Sequence, residues 1–362
     1  MAARGARAAA GDAVHSASPN TWAPFVTAFR DGLNEAGYVE GQNVAIDFRW
    51  AENRDDRLPA LAADLVRRQV AVIVANTPGA LAAKAATTTI PIVFSSGSDP
   101  VKLGLVASFS RPGGNVTGVN FFTNDLDAKR LGLLHELAPR ATVIAVLVDP
   151  NFPDAADRLR ELQEAAGTLA KQLQVFNAST ASEIDAALAA LAERRPDALI
   201  EMASPLMTAR RYQIVAFATR HALPAIYPAR ENVIAGGLMS YSTSLADAYH
   251  QKGIYTGRIL KGAKPADLPI MQPTRFELVI GTAKALGLNA GQATRPRRRG
   301  DRVTLGALLA PAPPTNFSDA RGIRGASQKR QPPSLRPGFS RVARARRCNG
   351  RVLTAGAIHC IV

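Results

Sequence analysis

Hydrophobic positions along this chain switch repeatedly between two periods. Residues 21–36 place Phe25, Ala28, Phe29, Leu33 and Ala36 on one helical face and stop toward Gly37. Residues 43–50 alternate as a strand does. Helical spacing returns over 57–68, and VAVIVA at 70–75 is a continuously apolar strand, the pattern expected when both faces are covered. A short helix over 80–87 and a buried strand over 90–94 follow. The second half repeats the rhythm: helices over 126–137, 155–171, 182–194 and 208–221, strands over 143–148, 173–177, 198–202 and 225–227. Near the end, Ala248, Ile254, Tyr255 and Ile259 mark another helix. Pro265 and Pro269 stop it and lead to a strand-like stretch at 276–280. Two successive β-α-β-α runs predict an α/β protein of two parallel-sheet, Rossmann-like lobes with right-handed crossovers, with ligands expected against the loops at the carboxyl ends of the strands.

Composition changes this picture only at the ends. The 362 residues carry a net charge of +15, which invites a nucleic-acid reading until it is divided by region. Residues 291–362 hold 15 Lys and Arg against 2 acids, whereas residues 15–290 hold 27 against 26. The body is electrostatically ordinary, so nucleic acid is not an expected partner. Both cysteines, Cys348 and Cys360, lie in the basic tail. No apolar run is long enough to span a bilayer, so direct membrane insertion is not expected.

Chemistry-bearing motifs are few. GRILKGAK at 257–264 fails as a phosphate loop, because Ala263 interrupts the required Gly-Lys-Ser/Thr and the segment follows a helix. RPGGNVTG at 111–118 has no phosphate-reading lysine. Five histidines, His15, His135, His221, His250 and His359, have no metal spacing, and no nucleophile elbow occurs. Catalytic residues, metals and cofactors are therefore expected to be none. Asp99 and Asp149 each follow an apolar strand and precede proline. They supply the alternative reading, an α/β enzyme with an interlobe active site, but each is more simply a cap or turn former, with Asp99 expected to cap a helix through Leu105.

Longer phrases carry a resemblance. GLNEAGYVEGQNVAIDFRWAE (32–52), RLPALAADLV (57–66), TIPIVF (89–94), DPVKLGLVASFSRPGGNVTGV (99–119), AGGLMSYSTSLADAY (235–249) and GRILKGAKPADLPIMQPTRFELVI (257–280) occur in this order. Together they resemble the ABC-transporter substrate-binding proteins of tryptophan/tyrosine type, over about residues 16–288. The resemblance implies a type 1 periplasmic-binding-protein fold with a ligand cleft between its lobes: lobe 1 over 16–119, lobe 2 over 120–240, and a return to lobe 1 over 241–288, with crossings near 118–120 and 238–241. It also implies a solute-binding component of an ABC importer, binding a small molecule such as an amino acid or related carboxylate, acting as a monomer with permease subunits, and located in the periplasm. An effector domain of a repressor shares the architecture, but no helix-turn-helix is readable. Cleft-facing strand ends nominate Asn76, Thr77, Ser95, Ser96, Asn120, Phe121, Tyr227 and Tyr241, and the loop HSASP adds Ser16 and Ser18. Hydroxyls, amides and helix-start N–H groups suit a carboxylate; the aromatic rings would form a wall.

Both ends depart from the resemblance. The family begins with a strand of the pattern IGFL, where this chain offers GDAV, and Asp12 in a buried strand is costly. Shifted by one base, codons for the first residues can spell W-P-L-A-A-R-A-Q-Q. Those for RRRGDRV (297–303) can spell A-D-E-V-I-E, with a stop codon able to follow. Residues 1–15 and 289–362 are thus expected to be frameshifted translation. The first is an aberrant start without a readable export signal, which leaves the chain cytoplasmic as written. The second is a disordered basic tail, whose residues 305–362 pack little on the body.

Overall fold

In a computed structural model the described residues are 19–52, 54–281, 302–304 and 357–361. In chain order the first half contains α1 (Pro19–Glu35), β1 (Ala45–Arg49), α2 (Leu58–Arg67), β2 (Val72–Asn76), α3 (Thr77–Ala86), β3 (Ile92–Ser96) and β4 (Val116–Asn120). The middle contains α4 (Asp127–Leu137), β5 (Val143–Val148), α5 (Ala155–Thr168), β6 (Gln172–Asn177), α6 (Ala181–Arg194) and β7 (Ala198–Glu201). Then come α7 (Pro205–Arg220), β8 (Ala225–Tyr227), α8 (Arg230–Ile234), β9 (Met239–Ser242), α9 (Leu245–Leu260), β10 (Glu277–Ile280), β11 (Arg302–Thr304) and β12 (Ala357–Ile361). The chain is thus the two-sheet α/β protein that the alternating periods predict.

The first sheet runs β1-β12-β2-β3-β4, with every pairing parallel. Its apolar strands divide their side chains between two layers. Val72 and Val74 join the cluster around Phe25, Phe29 and Tyr255, while Ile73 and Ala75 join the one around Leu58, Leu65 and Phe94. This division explains VAVIVA: each successive residue needs an apolar neighbour on the opposite face. Helices α1 and α9 close one layer at unusually short range. A Cβ on Gly253 would lie 2.1 Å from the Phe29 carbonyl oxygen, and one on Gly32 would lie 1.9 Å from that of His250. Only glycine allows that approach.

The second sheet runs β11-β10-β9-β8-β7-β5-β6 and is parallel except where β10 meets β9. Leu131, Leu134 and Leu162 cover one face, and Ile184, Leu188, Ile214 and Val215 cover the other. The chain passes between sheets after β4, through residues 121–126, and after β9, through Thr243 and Ser244. It passes a third time after Met271, which bridges Val119, on its way to β10. The Thr243 hydroxyl donates to the Phe121 carbonyl at 2.7 Å, so the first two crossings are tied side by side.

Several expectations need correction. Residues 118–120 and 239–241 are strand, with the crossings just beyond them, because their backbone groups find partners within each sheet. Residues 245–271 return to the first sheet, but β10 joins the second. Asp99 caps no helix. Its Oδ1 accepts from Val101 N at 2.7 Å and Lys102 N at 3.2 Å in a run of turns. Within the tail region, Arg302–Thr304 and Ala357–Ile361 are strands, and β12 occupies the interior slot between β1 and β2. The segment AIHCI is rich enough in β-branched residues to serve there. A parallel slot of this kind must be filled, because empty it leaves two rows of backbone N–H and C=O groups unpaired. The remaining tail and residues 1–18 lie outside the described residues.

Deleting residues 355–362 should therefore strip hydrogen-exchange protection from the amides of β1 and β2 and lower the melting temperature, leaving β5 and β7 protected. Unchanged protection in β2 would show that β12 contributes no pairing.

Candidate functional site

Parallel strands bring the starts of their following helices to one edge of each sheet, and the two edges face one another across a cleft. Asn76 ends β2 and caps α3, its Oδ1 accepting from Gly79 N at 3.2 Å. Ser204, just past β7, caps α7 through Met207 N at 3.2 Å, and Ser244, just past β9, caps α9 through Asp247 N at 3.1 Å. Pro78 and Pro205 stand in the first turns of α3 and α7, where the missing N–H is no loss. The cleft between these helix starts holds about 650 Å³, part of it open to solvent.

Its lining is aromatic and hydroxylic. Trp22, Tyr249, Phe121 and Phe152 supply rings, and Asn76, Thr77, Ser95, Thr123, Asn124, Ser204, Thr208 and Thr243 supply short polar groups. Among the described residues lining it, none is charged. The Trp22 Nε1–H donates to the Tyr249 hydroxyl at 3.0 Å, and the Trp22 and Phe25 rings pack edge to face. Behind the wall, the buried Lys252 Nζ donates to Ser95 Oγ at 3.0 Å and sits 3.8 Å from the centre of the Tyr249 ring. The Ser95 hydroxyl, supplied with a donor from behind, is free to turn its own proton toward the cleft.

The second lobe is braced by a buried ionic network. Asp127, at the start of α4, accepts from Arg130 Nη1 at 2.7 Å and from Arg158 Nε at 2.9 Å. Arg130 Nε then donates to the Tyr241 carbonyl at 2.9 Å, and Arg158 Nη1 to the Ala203 carbonyl at 3.0 Å. Asn124 extends the network to Asp154 at 3.0 Å and to Ser98 at 2.9 Å. One carboxylate thus fixes two stretches bearing cleft residues, around Ala203 and around Asn124.

Sequence-nominated residues divide into three groups. Asn76, Thr77, Ser95 and Phe121 line the cleft. Ser96 and Asn120 sit just behind it: Ser96 Oγ accepts from Thr77 at 3.0 Å and donates to the Ser98 carbonyl at 2.9 Å. Asn120 donates to the same carbonyl at 3.0 Å and accepts from Phe122 N at 2.7 Å. Tyr227 and Tyr241 lie in hydrophobic clusters instead, 1% and 6% exposed, with Tyr241 stacked on Phe276. Strand alternation decides this, since a ring at a strand end faces the cleft on only one side of the pleat. Burial pushes the Tyr227 hydroxyl far above its usual range. Ser16 and Ser18 lie outside the described residues. Asp99 serves a turn. Asp149 borders a separate cavity, where it accepts from Asn151 N and Ser179 Oγ, each at 3.1 Å.

Trp22, Tyr249, Phe152, Ser204 and Thr208 were not nominated. For Ser204 a signal existed: Ala203-Ser204-Pro205 after β7 repeats Asn76-Thr77-Pro78 after β2, a polar residue then proline leading from strand into helix. Trp22 and Tyr249 sit on apolar helix faces that are indistinguishable by spacing from core.

Comparison with known proteins places this arrangement. The family described as ABC transporter substrate binding protein matches residues 20–291. A tyrosine-binding protein of Clostridioides difficile (strain R20291) is 28% identical over 263 residues, covering 72% of this chain and 75% of the relative. A conserved domain protein from Vibrio cholerae superposes with a TM-score of 0.70 at 25% identity, covering 80% of this chain and 97% of that one. A Streptococcus pneumoniae ABC domain in complex with L-Trp superposes with a TM-score of 0.66 at 24% identity, covering 76% and 93%.

Glu201, at the end of β7, offers a test of the second lobe's electrostatics. It is fully buried, and burial pushes its carboxyl up to about 8, against the opposing pull of Asn232, Arg130 and Arg211. The folded value lies above the unfolded one, so the unfolded chain releases this proton first. The contribution to stability is complete below about pH 4.5 and is lost as pH rises toward 8. Glu201→Gln should therefore gain melting temperature relative to the wild type between pH 5 and pH 8. Parallel melting curves for the two proteins would contradict that burial.

Proposed function

Because this chain belongs to the ABC transporter substrate-binding proteins, we propose that its two α/β lobes close on a small aromatic or apolar carboxylate, an aromatic amino acid among the candidates, and present it to an importer permease. The solute-binding role follows from the family. The ligand class, the permease contact and a periplasmic location are the proposed steps.

The observation that carries the ligand class is the composition of the cleft. Three helix starts turn toward it, each with backbone N–H groups unused by its own helix, and hydroxyls stand beside them. A carboxylate is the group that such donors serve best. Opposite them, Trp22, Tyr249, Phe121 and Phe152 offer ring faces to an apolar or aromatic body. The C. difficile relative's name, tyrosine-binding protein, supports the same choice. In this reading Asn76, Thr77, Ser95 and Ser204 hold the polar end and the rings hold the rest. The paired crossings at Phe121 and Thr243 act as the hinge.

Thermal shift against L-tyrosine, L-tryptophan, L-phenylalanine, phenylacetate and 4-hydroxybenzoate, with glucose as control, tests the proposal. A ligand present at a hundred times its dissociation constant stabilises the folded state by about 2.7 kcal/mol. Ala229→Trp, which places an indole in the cleft from the start of α8, should weaken binding by roughly tenfold or more, since tenfold is only about 1.4 kcal/mol. Its ligand-free melting temperature should stay near that of the wild type. A positive response to glucose alone would overturn the proposed ligand class.

A further inference from the structure

A second cavity, of about 860 Å³ and likewise partly open to solvent, lies beside the ligand cleft and shares Phe152 and Pro205 with it. Its walls come from both lobes. The 3₁₀ turn Asp55–Arg57, which leads into α2, brings Arg54, Asp55 and Asp56. The loop after β5 and the start of α6 bring Asp149, Asn151, Ser179, Thr180 and Glu183. Carboxylates of the two lobes thus line one cavity between them.

From this juxtaposition we infer that lobe closure takes up a proton in the cavity that Asp55 and Asp149 both line, so that falling pH favours the closed, ligand-holding state. The inference rests on the reading of the two sheets as closing lobes.

The cations beside this cavity are engaged by other carboxylates, and the remaining charged groups are acidic. From the first lobe, the Arg54 guanidinium is engaged by Asp56, its Nη2 lying 3.1 Å from Oδ2, and Arg57 pairs with Glu52 at 3.0 Å. Among the described ion pairs, neither arginine bridges to Asp149. From the second lobe, Glu183 Oε2 accepts from Ser179 N at 2.7 Å, and its charge adds to the repulsion on Asp149. Burial raises the Asp149 carboxyl above its usual range, against the lowering effect of bonds from Asn151, Ser179 and Ser204. Asp55 is raised by burial and then by Asp149 itself and Asp56. Asp55 is exposed, so solvent tempers its shift, whereas Asp149 is half-buried. Opening the lobes returns both groups to water and separates them, which lowers both values. The closed state therefore binds the proton more tightly than the open one, and by linkage acidity favours closure.

Small-angle X-ray scattering of the full chain without ligand, between pH 7.5 and pH 5, tests the inference with protons as the only probe. The wild type should compact as pH falls. Asp149→Asn should be compact at both ends of the range, and Asp55→Asn should reduce the response if the first variant folds poorly. An unchanged radius of gyration in the wild type, or a full wild-type response in both variants, would overturn the proton coupling. A parallel titration with L-tyrosine at pH 7.5 and pH 5 keeps the two readings apart. Compaction by ligand without pH dependence removes the proton coupling and leaves the binding function. A pH response with no ligand effect retains the coupling and removes tyrosine as the ligand. Where both hold, the tyrosine dissociation constant should be lower at pH 5 than at pH 7.5 in the wild type, and the difference should shrink in Asp149→Asn.

Discussion

Parallel strand pairing is the constraint from which the rest of this molecule follows. A strand that must run the same way as its neighbour needs a crossover, and the crossover here is nearly always a helix. Every such helix then begins at the same edge of its sheet. Asn76, Ser204 and Ser244 are caps because chain direction puts helix starts there, and they line or border the cleft for the same reason. Function is thus placed where the fold leaves backbone donors unused. The single antiparallel pairing of the parallel run, β9 with β10, is where the chain has already left for the first lobe and come back.

Polar order in the second lobe depends on Asp127. A carboxylate buried between two guanidiniums is poor evidence for net stability, because each charge loses its water. Its value lies in direction. Arg130 reaches the Tyr241 carbonyl beside one crossing, while Arg158 reaches the Ala203 carbonyl at the rim of the cleft. Removing such a centre would leave two buried cations and would disconnect a crossing from the ligand wall. The hinge and the binding surface are joined through a group that touches no ligand.

Periodicity alone made most of the architecture legible. The strands from Val72 to Asn76 and from Val143 to Val148 declared themselves as apolar runs, and the helices between them as stripes. The phrases from Gly32 to Ile280 identified the family that residues 20–291 match. The cleft was readable where a polar residue directly ends an apolar strand, as at Asn76, Thr77 and Ser95. It was misread where the ring at a strand end belongs to the buried face, as at Tyr227 and Tyr241, because alternation gives the period but not its phase. Trp22 and Tyr249 were hidden for a different reason: a residue on an apolar helix face reaches the cleft only at the end of the stripe, and only tertiary packing shows which end. The pairing of β12 with β2 was beyond any local signal, since nothing within AIHCI names its partner.

That pairing has a kinetic side. β1 and β2 follow one another closely in the chain, yet among the described strands β1 pairs with β12 and not with β2. The β5, β6, β7 and β8 strands, by contrast, find their neighbours within a short stretch of sequence. Closing a very long loop is slow even where its thermodynamic penalty grows only with the logarithm of length. The second sheet can therefore assemble first, while the first waits with one side of β2 open. An open parallel edge of Val72, Ile73 and Val74 accepts strands from other chains as readily as from its own. Misassembly is then governed by how long that edge waits, and conditions that shorten the wait should matter more to recovery of this protein than conditions that strengthen the finished fold.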